Sequence, residues 1–217
     1  MDFNQARFNM VEQQIRTWEV LDQTVLDTVM AIPRERFVPE SYRLLAFSDI
    51  RIPLGNGRAM MTPKVEARLV QTLNLKPTDR VLEVGTGSGY VTALLAHLSQ
   101  KVTTIEIDPE LSAAAAGKLA AVGLTNVEFI VGDGLKGHPG GAPYDAIAVT
   151  GAVSARQSVL ESQLAVGGRM FVVVGSGHPM EALLITRVAE SEFAVDSLFE
   201  FELEPLIGAE PRPRFEF

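Results

Sequence analysis

An α/β domain with a mostly parallel sheet is the fold this sequence predicts, and three observations predict it. Between residues 79 and 174, short apolar and largely β-branched segments alternate with helix-forming stretches. One of those segments runs straight into a glycine-rich turn that opens a helix. After residue 182 the pattern changes to two extended segments separated by a charged turn, the mark of an antiparallel pair at a sheet edge. Alternation implies parallel strands with right-handed crossovers, and continuous apolar runs imply strands covered on both faces.

The 217 residues suffice for one sizeable domain, and 47% hydrophobic with 21% charged residues is ordinary for a folded chain. Lys and Arg number 19 against 27 Asp and Glu, a net charge of −8 that disfavours a nucleic-acid partner. The absence of cysteine excludes disulfides, thiolate metal sites and a cysteine nucleophile, and three scattered histidines (His97, His138, His178) show no metal-ligand spacing. No segment approaches the ~18 consecutive apolar residues of a membrane span, and the charged start resembles no signal peptide. The expectation is a cytoplasmic protein with no membrane partner.

Residues 1–78 are expected to form a helical N-terminal arm. Asp2 and Gln5 have capping-box spacing. Phe3, Ala6, Met10, Val11, Ile15 and Trp18 then recur at helical spacing, which leaves Arg7, Glu12 and Gln13 for solvent and makes Trp18 an anchor in the core. A second helix over 22–31 stops before Pro33, and Arg34-Glu35-Arg36 reads as a solvated turn. Residues 37–56, with Pro39 and Pro53 and no clear period, are expected to be irregular. Thr62-Pro63 supplies an N-cap and a first-turn proline for a third helix through Leu73.

Residues 79–181 carry the α/β core. Strands are expected over 80–84, 102–107, 127–131, 146–150 and 169–174, with helices over 90–98 and 111–121. Asp108-Pro109 opens the second of these helices and Gly123 closes it. Residues 182–217 add the extended segments 182–189 and 193–203 and a tail, with Glu210 to Arg214 as an exposed extension.

The sharpest chemical signal is Glu83, Val84, Gly85, Thr86, Gly87, Ser88, Gly89, set between strand and helix. Glycines there permit a tight turn and a close approach to a nucleotide-like ligand. Glu106, with Ile107 at the end of the next strand, can accept both hydroxyl hydrogens of a ribose. Gly132, Asp133 and Gly134 close the third strand, where Asp133 can accept from an adenine amino group. Together they predict a Rossmann-like site for an adenosine-containing cofactor. The dinucleotide fingerprint is G-x-G-x-x-G, whereas this chain has G-x-G-x-G with Glu83 beside it. An acidic neighbour repels a pyrophosphate and favours the cationic amino-acid end of S-adenosylmethionine, so the methyl donor is preferred to NAD. Thr150 and Ser176 stand at nearby strand ends. Met60 and Met61 are read either as cofactor contacts or as adaptable packing.

These motifs, in order, are similar to those of protein-L-isoaspartate O-methyltransferases. The resemblance runs through Met10 to Arg16 (MVEQQIR), Ile32 to Pro39 (IPRERFVP), Val81 to Tyr90 (VLEVGTGSGY) and Val131 to Gly134 (VGDG). It continues through Pro143-Tyr-Asp145, Gly167-Gly-Arg-Met170, Val174-Gly-Ser176 and Glu204-Pro-Leu206, and so spans nearly the whole chain. It implies a repair enzyme whose partners are damaged proteins bearing isoaspartyl residues; the ester it forms favours cyclisation to a succinimide. One loop departs. Where the family carries Gly-x-Thr-Ile-Ser-x-Pro, residues 57–63 read GRAMMTP, so Ala59 replaces the threonine and Met61 the active-site serine. Neither replacement donates a hydrogen bond to a carboxylate. Arg58, Met61 and Thr62 are therefore the substrate-loop residues expected to position the acceptor. The alternatives are a different carboxylate or small-molecule acceptor, or a non-catalytic cofactor-binding protein.

Overall fold

The computed structural model describes residues 2–177 and 179–209. His178 and the tail from Glu210, with Arg212 and Arg214, lie outside the described residues. No helix among the described residues is long and apolar enough to cross a membrane.

Seven strands form one sheet in the order β5-β4-β3-β6-β7-β8-β9, where β3 is Arg80–Val84, β4 Lys101–Glu106, β5 Val127–Val131, β6 Tyr144–Val153, β7 Leu164–Val174, β8 Glu181–Ala189 and β9 Glu192–Glu200. The first five run parallel, while β8 pairs antiparallel with both β7 and β9. The expected antiparallel edge is present, but β9 stops at Glu200 and residues 203–207 fold back toward the end of β6. There the Ala152 N–H donates to the Glu204 carbonyl at 2.8 Å and the Leu206 N–H to the Ala152 carbonyl at 2.9 Å.

Strand order reverses at β3: the chain moves outward through β4 and β5, then returns to the other side of β3 with β6. Ligands of open α/β sheets bind outside the carboxyl ends of the strands at such a switch point. Along β3 the side chains alternate between faces. Val81 joins the core beneath the helical arm, while Leu82 and Val84 join the core on the opposite face.

The arm begins with α1, Phe3–Met10, whose N-cap Asp2 accepts from the Asn4 and Gln5 N–H groups. The Gln5 side chain donates to Asn9 instead of reaching back, so only half of the capping box forms. The helix widens into a π turn over Val11–Ile15 and tightens over Arg16–Trp18. Trp18 is only half-buried and meets Phe199 of β9 at 4.8 Å between ring centroids, so it docks the arm on the sheet edge. The second helix, α2, spans Gln23–Ala31.

Two expectations about charge are overturned. Arg7 is buried, and both Glu35 carboxylate oxygens accept from it at 2.7 and 2.9 Å. Arg34 is 0% exposed. Single-residue polarity placed both in water; partners 28 and 32 residues away, which local periodicity cannot register, take them inside.

Residues 37–56 are also less irregular than expected. Strand β1, Ile52–Gly55, pairs antiparallel with β2, Arg58–Met60, around a turn in which Gly55, Asn56 and Gly57 all have positive φ. Helix α3, Pro63–Leu73, follows. Thr62 sits at its N-cap position but makes no side-chain capping bond, and its buried hydroxyl has no partner. In the core, α4 (Tyr90–Leu98) follows the glycine turn and α5 (Pro109–Ala121) is capped by Asp108.

Candidate active site

Three adjoining cavities open at the carboxyl ends of β3, β4 and β6, and Gly85 lines all of them. The main one, of about 280 Å³, lies between the β1–β2 hairpin, Gly87, Glu106, Thr150 and the returning segment 203–207. A slot of about 40 Å³ reaches Asp133, Gly134 and Leu135. A third lobe of about 50 Å³ runs under Met60 and Met61 beside Thr86, Ser88 and Glu66.

Glu106 organises the core side. It is only 5% exposed and lies where β4 ends. One carboxylate oxygen accepts from the Gly87 N–H at 2.8 Å and the other from the Asp108 N–H at 3.1 Å. Each oxygen has a second lone pair, so the carboxylate that shapes the glycine loop can still accept from two neighbouring hydroxyls. Asp133 uses one oxygen to accept from the Leu135 N–H at 3.0 Å, beside the small slot. Ile107 lines both the slot and the main cavity. This set fits an adenosine-bearing ligand: a carboxylate for vicinal hydroxyls, a second acceptor beside a narrow slot, and apolar walls.

The glycines divide by role. A Cβ at Gly85, where φ is +98°, would meet the Thr150 hydroxyl at a distance no side chain tolerates. That hydroxyl donates to the Val84 carbonyl at 2.9 Å and also to the Gly85 carbonyl, tying β6 to the turn at the switch point. A Cβ at Gly87 would face only Leu54 at 3.5 Å, consistent with open space toward the hairpin. Gly89 lines none of the three cavities; a Cβ there would press on Leu119 and Ala115 at 2.8 and 2.9 Å, so it serves close packing of α4 on α5. Gly132 lines none of them and donates its N–H to the Glu106 carbonyl, while Gly134 lines the slot.

The direct cofactor contact expected of Glu83 is not what the chain builds. Strand alternation points Glu83 into the sheet face under α4, at 0% exposure, where it lines none of the cavities. Its carboxyl accepts from Thr92 at 2.5 Å and Thr104 at 2.6 Å, and Thr104 in turn meets the Thr86 hydroxyl at 2.6 Å. Burial raises its pKa to about 8, so at neutral pH it is mostly uncharged. It supports the glycine loop from beneath and is walled off from the cavities in which a cationic ligand group would lie.

On the arm side, Arg58 lines the main cavity and donates to Asp108 at 2.6 Å. Its buried Nε has no partner. Arg58 is the chief reason that the pKa of the partly buried Asp108 is lowered. Met61 is 4% exposed and lines the third lobe. Thr62 and Ser176 line none of the cavities, and Ser176 is exposed. Sequence reasoning gave no site role to Leu54 or Asn56, and named Glu204 to Leu206 of the wall 203–207 only as part of the family resemblance. Asn56-Gly57 between apolar segments was the available hairpin signal. The return of 203–207 had only Pro205 to mark the end of the strand.

Comparison with known proteins gives a consistent result. A family model for Protein-L-isoaspartate(D-aspartate) O-methyltransferase (PCMT) matches residues 5–210. The chain is 40% identical over 219 residues to Protein-L-isoaspartate O-methyltransferase 1 of Rhodopseudomonas palustris (strain HaA2), covering 98% of this chain and 89% of that one. A solved protein-L-isoaspartate O-methyltransferase superposes with a TM-score of 0.79 at 25% identity, over 92% of this chain and 65% of that one; the chain thus spans under two thirds of that structure. A putative protein-L-isoaspartate O-methyltransferase from Plasmodium falciparum, solved in complex with S-adenosyl-L-homocysteine, shares the fold with a TM-score of 0.78 at 20% identity, over 95% of this chain and 98% of that one.

Proposed function

The chain belongs to the protein-L-isoaspartate O-methyltransferase family, and from that premise we propose that it methylates the free carboxylate of isoaspartyl residues in damaged proteins, with S-adenosylmethionine as donor. Glu106 carries the reading on the structural side, as a buried carboxylate at the end of β4 that shapes the glycine loop and faces the main cavity. We assign the ribose hydroxyls to Glu106, the adenine end to Asp133 with Gly134 and Ile107, and the amino-acid end to the loop of Gly85, Thr86, Gly87 and Ser88, with Thr150 behind it.

S-adenosylmethionine supplies a methyl group already activated on a sulfonium. The acceptor carboxylate is ionised near neutral pH and needs no general base. The chain's own part is to bind, align and exclude water, which is catalysis by proximity and orientation. Met61 and Ala59 bring no donor to the acceptor. Arg58 is the cationic side chain lining the main cavity, with N–H groups beyond the one given to Asp108. It is the group we assign to the acceptor carboxylate, with Met61 lining the lobe beside it.

The test is label transfer from radiolabelled S-adenosylmethionine to a synthetic isoaspartyl peptide and its aspartyl twin. Base-labile label in the isoaspartyl peptide alone is the expected result. Label in neither, with S-adenosylhomocysteine still bound, overturns the acceptor assignment and favours an acceptor of different chemistry, as Ala59 and Met61 would permit.

A further inference from the structure

The arm buries two arginines, and they differ in what they hold. Arg7 pairs with Glu35 and donates to the Met30 carbonyl at 3.2 Å, so its bonds stay within the arm. Arg34 joins four segments. Its Nε and one terminal nitrogen donate to the two Glu66 oxygens at 2.8 and 3.2 Å. That nitrogen also donates to the Met61 carbonyl at 2.9 Å, and the other terminal nitrogen to the Ala46 carbonyl at 2.5 Å. Its guanidinium carbon stands 5.4 Å from the centroid of the Tyr90 ring, and Tyr90 is the first residue of α4 after the glycine loop.

Stability does not account for this arrangement. Removing two charges from water costs about as much as their attraction returns, and apolar residues of similar volume are often as stable. A directed set of N–H donors achieves something an apolar pair cannot: it fixes a carbonyl. The carbonyl fixed is that of Met61, the loop position whose side chain lines the lobe beside Gly85 and Gly87. Glu66 lines the same lobe.

We propose that Arg34, oriented by Glu66, is the positioning residue of the acceptor loop, holding residues 58–61 in register with the glycine loop through Met61 on one side and Tyr90 on the other. The inference rests on the methyl-transfer reading for its kinetic consequence but not for its structural one. The Arg7–Glu35 pair provides the control, being buried in the same arm without touching the loop.

The experiment compares two apolar swaps, Arg34→Met with Glu66→Leu and Arg7→Met with Glu35→Leu, in the full chain. Three properties are read: thermal stability, affinity for S-adenosylhomocysteine, and amide hydrogen exchange of residues 57–62. Where the wild type labels an isoaspartyl peptide, kcat and KM for that peptide are added. The Arg34/Glu66 swap is expected to stay folded and to lose less in cofactor affinity than in kcat/KM, while exchange in 57–62 speeds by about tenfold or more and kcat/KM falls by about thirtyfold or more. The Arg7/Glu35 swap should leave loop exchange and kinetics at wild-type values. Wild-type exchange and kcat/KM in a folded Arg34/Glu66 variant would overturn the proposal. If that variant does not fold, Arg34→Lys, which keeps the charge but not the fork, is read by the same criteria. A wild type inactive on the peptide defeats the methyl-transfer reading alone, since loop exchange still decides the positioning role.

Discussion

The core wall of the cavity places its groups with backbone, whereas the arm wall places them with buried charge. On the core side, Gly85, Gly87, the end of β4 and the Thr150 hydroxyl are fixed by strand pairing and by a positive-φ glycine turn that leaves no room for a side chain at Gly85. On the arm side, the β1–β2 hairpin is a two-stranded ribbon, held from below by Arg34 and from its edges by the Arg58–Asp108 and Arg51–Glu204 pairs, both at 2.6 Å. An isolated two-stranded ribbon is marginal without such support. The difference teaches that, on the assignment proposed above, the donor site is a property of the fold, while the acceptor site depends on a few side chains.

That contrast can be broken in several ways. The largest effect is expected from Arg34→Met alone, which leaves Glu66 buried without its cation and should cost about 3–5 kcal/mol in urea unfolding. Restoring neutrality with Glu66→Leu should recover most of that loss. An unchanged midpoint in the single variant would mean that the arm is not held by this charge.

Glu83 is next. Its pKa is pushed by burial to about 8 in the folded chain, above its ordinary value. The folded state therefore binds the extra proton between those two values. Its contribution to stability is fully present below the ordinary carboxylate range and is lost as pH rises through about 8. Glu83→Gln should flatten that decline, a difference on the order of a few kcal/mol across the window. Parallel pH profiles for the two proteins would show the carboxyl to be charged in the fold.

A smaller effect is expected at Gly89, where a methyl presses on Leu119 and Ala115 at a φ of +84°. Gly89→Ala should cost about 1–3 kcal/mol and leave affinity for S-adenosylhomocysteine nearly intact. A selective loss of affinity would return Gly89 to the ligand site. Smallest of all, Lys101→Ala breaks a half-exposed pair with Glu128 and should cost about 1 kcal/mol or less by thermal unfolding.

Much of the core was legible because its signals are local. The strand over residues 80–84, its glycine turn, the Asp108 cap and the apolar β-strands each follow from neighbours in sequence. The arm was less legible because its organising bonds are long-range: Arg34 finds Glu66, and Arg7 finds Glu35, across turns that no periodicity encodes. Glu83 is instructive in another way. Its position was correctly read, but its role was not, because strand alternation sends a side chain two residues before the turn into the sheet face. The preference for S-adenosylmethionine over a dinucleotide therefore cannot rest on a charge at Glu83; it rests on the glycine spacing, Glu106 and the family.

The most direct test of the core-side site is a calorimetric titration of S-adenosylhomocysteine into the wild type and into Glu106→Ala. With two charge-assisted hydrogen bonds at stake, the variant is expected to bind about a hundredfold more weakly or worse while remaining folded. Equal affinity in the two proteins would contradict the placement of the donor site at the end of β4.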